Sequence, residues 1–179
     1  MNLKQDLRYT LHKVLKQLSH ERREYAASQL IAQLSEDSHF LSSDKVMIYY
    51  AMATEVSTEA VLEQWGDEKT FFFPTLVDGK IQVCPYEGKA RMKEGQFGIW
   101  EPTTAPLSDL STLDYILVPG VGFDSQGHRL GHGRAYYDSF LSQRSLQNVH
   151  CVGVAFSEQV LSEIPTEPHD IALHSLIIV

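Results

Sequence analysis

The sequence predicts a single-domain three-layer α/β/α fold with a mixed, mostly parallel sheet. Amphipathic helical patterns alternate with short apolar segments along the chain. These segments are too apolar for strands with one face in water, so they indicate strands covered by helices on both sides. The length of 179 residues fits one domain of about 150 residues. We therefore assign one domain to residues 1–179.

Two amphipathic helices are predicted to open the chain. Apolar residues recur at spacings of three and four over residues 3–18, which places one apolar stripe on a first helix. Lys4 and Arg8 share a different face of that helix. Ser19 is a suitable N-cap for a second helix, whose apolar pattern ends at the polar segment 35–38.

The central sheet is predicted from apolar segments separated by turns and helices. The first segment, 45–53, is followed by a predicted helix over 57–65, and a later helix is predicted over about 134–144. The turn Val77-Asp78-Gly79-Lys80 favours a hairpin. The other predicted strands are 71–73, 81–86, 115–118, 149–155 and 176–179.

Charge and composition exclude several classes of protein. Lys and Arg number 15 against 23 Asp and Glu, a net charge of −8, which argues against a nucleic-acid binder. The first 20 residues lack the apolar core of a signal peptide, and no apolar run approaches the length of about 20 residues that spans a bilayer. We therefore expect a cytoplasmic protein, a monomer, with no membrane or nucleic-acid partner. Cys84 and Cys151 stand too far apart for a CxxC pair and are expected in core strands.

A glycine-rich segment after the predicted strand 115–118 carries the strongest chemical signal. Ligands of α/β sheets bind beyond the carboxyl ends of strands, and a glycine loop before a helix offers N–H groups to phosphate. Arg129 and Arg134 flank this turn, and guanidinium groups match phosphate geometry. Asp138 follows one helical turn later and could share a magnesium ion with phosphate oxygens.

The residues alone leave other interpretations open. The segment is neither a Walker A motif nor a dinucleotide fingerprint, so its glycines could serve only tight turns. His128 and His132 could be metal ligands or solvent-facing loop residues. Lys4 and Arg8 could form a solvated helix face, and Asp138 could be a surface residue.

The run RLGHGRAYYD at 129–138, preceded by PGVGFD at 119–124, resembles the signature of the 5-formyltetrahydrofolate cyclo-ligases, also called 5,10-methenyltetrahydrofolate synthetases. Further segments match that family in the same order along the sequence, so the similarity covers nearly the whole chain. They are Lys4-x-x-Leu7-Arg8, Thr54-Glu55-Val56, Phe97-Gly98-Ile99 with Glu101-Pro102, and Pro168-His169-Asp170.

The resemblance implies an ATP-dependent ring closure that converts 5-formyltetrahydrofolate to 5,10-methenyltetrahydrofolate, with Mg²⁺ required and ADP and phosphate released. In this family the γ-phosphoryl group of ATP is understood to activate the formyl oxygen before N10 attacks. Such chemistry needs positioning and charge neutralisation more than a protein nucleophile. The implied partners are therefore small molecules.

The resemblance also implies roles for individual positions. The positions matching ATP-binding residues are Lys4, Arg8, Arg129, Leu130, Gly131, His132, Gly133, Arg134, Ala135, Tyr136 and Tyr137. Those matching substrate-binding residues are Tyr50, Glu55, Phe97, Trp100, His132, Gly133, Arg134, Ala135 and Tyr136. Asp138 and Asp170 match metal-binding positions; alone, Asp170 could be a cap or turn residue. Glu55 could likewise be an exposed loop carboxylate, and Trp100 a buried structural residue.

Two departures from the family pattern bear on the loops. Ala135 stands where glycine is usual, and a positive φ there would add strain of about 1 kcal/mol. Thr54 stands before Glu55 where glycine is common. The adjacent side chains of Tyr136 and Tyr137 cannot face the same way, so one is expected to line the site while the other packs into the core.

Two other functions remain open beside the cyclo-ligase: a folate-binding protein without turnover, and an enzyme resembling sugar-phosphate isomerases or CoA transferases. The acidic net charge requires a local basic site for anionic substrates. Lys80, Lys89, Arg91 and Lys93 are candidates to receive a glutamate tail, or could form a solvated hairpin face.

Overall fold

The computed structural model describes residues 3–95, 98–167 and 170–179. Its α-helices are α1 (Leu3–Lys16), α2 (His20–Leu34), α3 (Ser38–Ser42), α4 (Glu59–Trp65) and α5 (Tyr136–Leu141). Its strands are β1 (Lys45–Met47), β2 (Thr70–Val77), β3 (Lys80–Pro85), β4 (Met92–Glu94), β5 (Trp100–Pro102), β6 (Tyr115–Val118), β7 (Gly122–Asp124), β8 (Arg129–Leu130), β9 (His150–Ala155), β10 (Val160–Leu161) and β11 (Ser175–Ile178).

A six-stranded sheet in the order β11-β9-β6-β1-β2-β3 forms the centre of the fold. All neighbouring pairs are parallel except β2 and β3, which form an antiparallel hairpin. Asp78 and Gly79 have φ values of 49° and 74°, as a two-residue hairpin turn with a right-handed twist requires. The predicted mixed, mostly parallel sheet and its hairpin are confirmed.

Helices cover both faces of this sheet. Alternate strand residues point to opposite sides, so Val46 packs with α1, α2, α3 and α4, whereas Met47 packs with α5 and Leu173. Ser19 caps α2 by accepting a hydrogen bond from the Arg22 backbone N–H, as predicted. The predicted three layers are therefore present. None of the helices in the described ranges is both long and apolar enough to cross a membrane.

Several predicted boundaries were wrong. Regular β1 ends at Met47 instead of residue 53, although the Ile48 N–H still donates to the Phe72 carbonyl oxygen over 2.9 Å. The helix predicted over 134–144 spans only Tyr136–Leu141. It starts at Tyr136 because Ala135 has a left-handed backbone that cannot be part of a right-handed helix. Strand β2 is longer than the predicted 71–73. Cys84 and Cys151 are buried free thiols, as predicted.

Two small sheets were not predicted, and both border the candidate site. Strands β10, β7 and β8 form one, and β4 and β5 form the other. Each strand has only two or three residues. Such strands are too short to show an alternating pattern in sequence.

Candidate active site

A cavity of about 320 Å³ lies at the carboxyl ends of β1 and β6, where α/β sheets bind ligands. Residues that follow β1 form one wall, the β2–β3 hairpin and β5 form a second, and the glycine-rich segment forms a third. The lining residues are Tyr49, Tyr50, Met52, Glu55, Pro74, Leu76, Ile81, Ile99, Glu101, Pro119, Arg129, Gly131, His132, Arg134, Ala135, Tyr136, Tyr137 and Asp138.

A buried ion pair supports the glycine-rich wall. The Arg129 Nη2 atom donates to Asp138 Oδ1 over 2.7 Å, and the two side chains are 4% and 13% exposed. The Arg129 guanidinium carbon also lies 5.4 Å from the ring centroid of Tyr137, which adds a cation–π contact. A Cβ at residue 131 would lie 2.8 Å from Arg129 Nη1, so a side chain there would force the guanidinium group to shift. Asp138 is therefore a buried partner of Arg129, and the surface interpretation is wrong.

Helix α1 packs against the same glycine turn. The Arg8 Nε atom donates to the Gly131 carbonyl oxygen over 2.7 Å. Gly133 has a φ of 96°, and a Cβ there would meet Arg8 Cζ at 3.6 Å. No hydrogen bond occupies the two Arg8 Nη groups within the described part of the chain, so both groups are available as donors. Arg8 thus lies on α1 and contacts the glycine loop, whereas the alternative interpretation placed it on a solvated helix face.

Lys4 meets one of the two predicted metal-binding residues. The Lys4 Nζ atom donates to Asp170 Oδ2 over 2.7 Å and to Glu167 Oε2 over 3.0 Å. Burial lowers the pKa of Lys4, but the hydrogen bonds to both carboxylates outweigh burial and the pKa is raised. The Asp170 side chain is only 11% exposed. This contact connects α1 with the segment before β11.

The two predicted metal-binding carboxylates have separate basic partners, Arg129 for Asp138 and Lys4 for Asp170. Across residues 3–95, 98–167 and 170–179, no group of three or more His, Cys, Asp or Glu side chains is arranged to hold a metal ion. Carboxylate oxygens suit Mg²⁺, which commonly combines one or two of them with substrate phosphates. A Mg²⁺ ion at either carboxylate would therefore need oxygen ligands from outside the protein side chains described here.

Glu55 is buried at the opposite wall. Its Oε2 atom accepts from the Met52 backbone N–H over 2.9 Å, and its Oε1 atom lies 3.2 Å from His132 Nε2. The interpretation of Glu55 as an exposed loop residue is wrong. The His12 ring lies 5.6 Å from the His132 ring. Burial lowers the pKa of His12, and His132 lowers it further, so His12 is mainly neutral at pH 7.

The predicted aromatic residues occupy two connected regions. Tyr50 lines both the first cavity and a neighbouring cavity of about 440 Å³, which Trp100 also lines. Trp100 is 42% exposed, so its interpretation as a buried structural residue is wrong. Phe97 lies outside the described residues, as do Pro168 and His169 of the predicted C-terminal motif. Lys89 lines the second cavity together with Trp100.

The adjacent tyrosines of α5 face different surroundings. Tyr136 lies beside the β2–β3 hairpin, 4.0 Å from the position of a Cβ on Gly79. Tyr137 packs edge-on against Phe140, and its hydroxyl is buried with no hydrogen-bond partner in the described ranges. Burial raises the pKa of Tyr137 and the Glu55 carboxylate raises it further, so the hydroxyl remains a proton donor. Both tyrosines line the cavity.

The remaining predicted loop residues have distinct positions. Leu130 is buried below the glycine turn in a cluster with Leu11. Arg134 is exposed at the cavity wall, and Ala135 has a φ of 53° and a ψ of 20° at the N-cap of α5. Tyr49 and Glu101 were not predicted as site residues although both line the cavity. Each lies in an apolar or strand-forming segment, where sequence offers no signal for a cavity-facing side chain.

Comparisons with known proteins agree over the whole chain. The profile of the 5-formyltetrahydrofolate cyclo-ligase family matches residues 1–179. The chain is 28% identical to the 5-formyltetrahydrofolate cyclo-ligase of Haemophilus influenzae, covering 98% of this chain and 97% of that protein. It is 28% identical to the Mus musculus enzyme of the same name, with coverages of 97% and 92%.

Solved structures lead to the same assignment. The 5,10-methenyltetrahydrofolate synthetase of Aquifex aeolicus superposes with a TM-score of 0.85 at 32% identity, covering 99% of this chain and 90% of that one. A Mycoplasma pneumoniae structure shares the fold, with a TM-score of 0.80 at 20% identity and 98% coverage of both chains. The family model, the related sequences and the fold thus agree with the arrangement of the cavity, and the chain belongs to the 5-formyltetrahydrofolate cyclo-ligase family.

Proposed function

We propose that the protein catalyses the ATP-dependent cyclisation of 5-formyltetrahydrofolate to 5,10-methenyltetrahydrofolate, with release of ADP and phosphate. One observation carries this proposal beyond family membership. A single cavity has the buried Glu55 carboxylate on one wall and the Arg8–Gly131 arrangement on another. A donor-rich pterin and an anionic triphosphate can therefore be bound side by side.

The chemistry requires activation of a poor leaving group. The formyl oxygen attacks the γ-phosphorus of ATP and ADP leaves, which converts that oxygen into a phosphate ester. N10 then attacks the formyl carbon and loses its proton, and the carbon–oxygen bond breaks as phosphate departs. Phosphoryl transfer of this kind depends on positioning and charge neutralisation. Basic side chains and backbone N–H groups supply both here.

The nucleotide is assigned to the glycine-rich wall. The Arg8 Nη groups and the exposed Arg134 side chain supply cationic donors for phosphate oxygens. The Arg129 Nε atom and the Tyr137 hydroxyl are buried without partners among the described residues. Buried polar atoms are normally hydrogen-bonded, so unpaired donors beside this cavity are consistent with a polar ligand. Lys4 completes the basic set from the first turn of α1.

Magnesium would be held by Asp138 and Asp170 together with the nucleotide. Both carboxylates already neutralise a basic side chain, so phosphate oxygens must supply further ligands. When bound, the metal would neutralise charge on the transferring phosphoryl group. Arg129 and Lys4 would then hold the two carboxylates in position through their ion pairs.

The folate is assigned to the wall around Glu55. The flat pterin ring suits the aromatic and apolar lining near Tyr50 and Tyr136. His132 connects the two ligands, because it belongs to the glycine loop and contacts Glu55. Trp100 in the second cavity provides a surface for the part of the substrate beyond the pterin.

The decisive experiment mixes purified protein with 5-formyltetrahydrofolate and Mg²⁺, with and without ATP, and follows methenyltetrahydrofolate by its near-ultraviolet absorbance. Product that depends on ATP supports the proposed reaction. Calorimetric folate binding without product would indicate the non-catalytic binding protein instead. Neither product nor binding would refute the folate assignment and favour an isomerase-like or transferase-like activity.

A glutamate tail is assigned to the basic segment beside the second cavity. Lys89 lines that cavity, and its Nζ atom lies 3.4 Å from Glu59 Oε1 at an exposed position. Arg91 makes a similarly long contact of 3.4 Å with Glu87. Such exposed pairs contribute about 0–1 kcal/mol, so carboxylates of a ligand can replace them. Lys93 lies on the adjoining strand β4.

Combined neutral substitution of Lys89, Arg91 and Lys93 tests this assignment. We expect KM to rise more for a polyglutamate substrate than for the monoglutamate, because only the former presents several carboxylates. Equal changes in both KM values would refute it. Substitution of Lys13, an exposed residue of α1 that is not among the candidates, serves as a comparison for general loss of positive charge.

A further inference from the structure

Besides Glu55 and Asp138, a third carboxylate lines the cavity, and it has no part in the proposed folate contacts. Glu101 lies in the middle of β5 and is 7% exposed. Its Oε1 atom accepts from the Leu76 backbone N–H of β2 over 3.3 Å. No other hydrogen bond or ion pair reaches its carboxylate from the described residues. The Oε2 atom is therefore an unpaired acceptor in the cavity wall.

The β4–β5 hairpin leaves space for this carboxylate. A Cβ at Gly95 would lie 2.4 Å from Glu101 Cδ and 2.7 Å from Oε2, so a side chain there would force the Glu101 carboxylate to move. The Gly95 N–H donates to the Ile99 carbonyl oxygen over 2.8 Å. The absence of a side chain at residue 95 thus permits the carboxylate to lie between the hairpin and β2.

The surroundings of Glu101 are unfavourable for an isolated charge. Apolar residues of the same cavity, including Pro74, Ile81 and Ile99, lie on its wall. Burial of a carboxylate is costly unless hydrogen bonds compensate it, and one long contact to a backbone N–H gives little compensation. By contrast, Glu55 has a partner for each of its two oxygens. Glu101 thus differs from Glu55 in that its Oε2 atom has no partner among the described residues.

We propose that Glu101 is a second recognition residue for the reduced folate, whose Oε2 atom accepts an N–H donor of the bound substrate. This inference rests on the proposed function. Reduced folates carry N–H groups on the pterin ring and at N10, whereas the adjacent wall offers only apolar contacts. A carboxylate at this position favours a donor-bearing ring over an analogue of the same shape that presents an acceptor.

Glu101→Gln tests this role with little change in shape. Its amide oxygen can keep the Leu76 contact, while its NH₂ group replaces the open acceptor by a donor. We expect the calorimetric Kd for 5-formyltetrahydrofolate to rise about 10- to 100-fold, the effect of losing a charged hydrogen bond. The Kd for ATP should stay unchanged. The thermal midpoint should stay equal or rise, because a buried charge has been removed.

Glu94→Gln is the matched control, because Glu94 is an exposed carboxylate in the same hairpin, and it should leave the folate Kd unchanged. An unchanged folate Kd in Glu101→Gln would overturn the inference. Equal weakening of folate and ATP with a lower thermal midpoint would also overturn it, in favour of a structural role. Wild-type turnover, measured first, separates these results from failure of the proposed function. A wild-type protein that binds no folate would overturn both.

Discussion

Replacement of Ala135 by glycine should stabilise the protein. Ala135 has a φ of 53° and a ψ of 20°, a left-handed conformation that costs a residue with a Cβ about 1–2 kcal/mol. Glycine removes that strain but gives the unfolded chain about 0.4–1 kcal/mol more conformational entropy. The difference predicts a free energy of unfolding higher by about 0.5–1 kcal/mol. For a chain of this size, the melting temperature should rise by about 1–4 °C.

The same chemical change at Ala32 should have the opposite effect. Ala32 is exposed within the right-handed helix α2, where glycine costs about 1 kcal/mol relative to alanine. Calorimetry and urea unfolding of both variants measure the difference directly. If Ala135→Gly lost as much stability as Ala32→Gly, residue 135 would not have a left-handed backbone in solution. The explanation for the start of helix α5 would then also be wrong.

Three further predictions concern charge. Arg8→Gln should weaken ATP binding about tenfold through loss of charged hydrogen bonds and leave 5-formyltetrahydrofolate binding unchanged; calorimetry with each ligand would contradict this if both affinities fell together. Asp138→Asn leaves Arg129 buried without its carboxylate, so urea unfolding should show a loss of about 3 kcal/mol, and kcat should fall far more than folate affinity; comparable losses would indicate a structural role alone. Burial lowers the pKa of His150 below its usual 6.5, and two stacked histidine rings at centroid distances of 4.2 and 5.0 Å lower it further. The unfolded state then binds the proton more readily, so stability should fall as pH drops below 6.5; His150→Gln should reduce that dependence in urea unfolding at pH 7 and 5.5, and an unchanged slope would exclude His150 as a cause.

The central elements could be predicted because their signals are local. The apolar run at 115–118 corresponds to β6, and the Asp-Gly turn requires only its own backbone preferences. The strands β8 and β10 could not be predicted in this way. Val160 of β10 pairs with Phe123 of β7, and nothing within a two-residue strand identifies so distant a partner.

The same limit applies to the candidate site, where the sequence predicts which residues belong to the site but not which contacts they make. Arg8 and Gly131 were both predicted to belong to the nucleotide site, but their hydrogen bond was not. That contact depends on packing of α1 against β7, where a Cβ on Gly122 would lie 2.7 Å from Leu11 Cδ1. Glu101 was missed for a related reason, because its burial depends on space at Gly95 across a hairpin. Local sequence indicates neither kind of complementarity.

Residues of α1 contact residues far along the sequence, and these separations determine when the proposed nucleotide site can form during synthesis. Arg8 is 123 residues from Gly131, and Lys4 is 166 residues from Asp170. At a translation rate of about 5–20 residues per second, Arg8 has no glycine turn to contact for many seconds after it emerges from the ribosome. The walls formed by β1, β2 and β3 are synthesised first, and the contacts of α1 with residues 131 and 170 form last. A nascent chain would therefore gain the proposed nucleotide site only when most of the sheet has been synthesised.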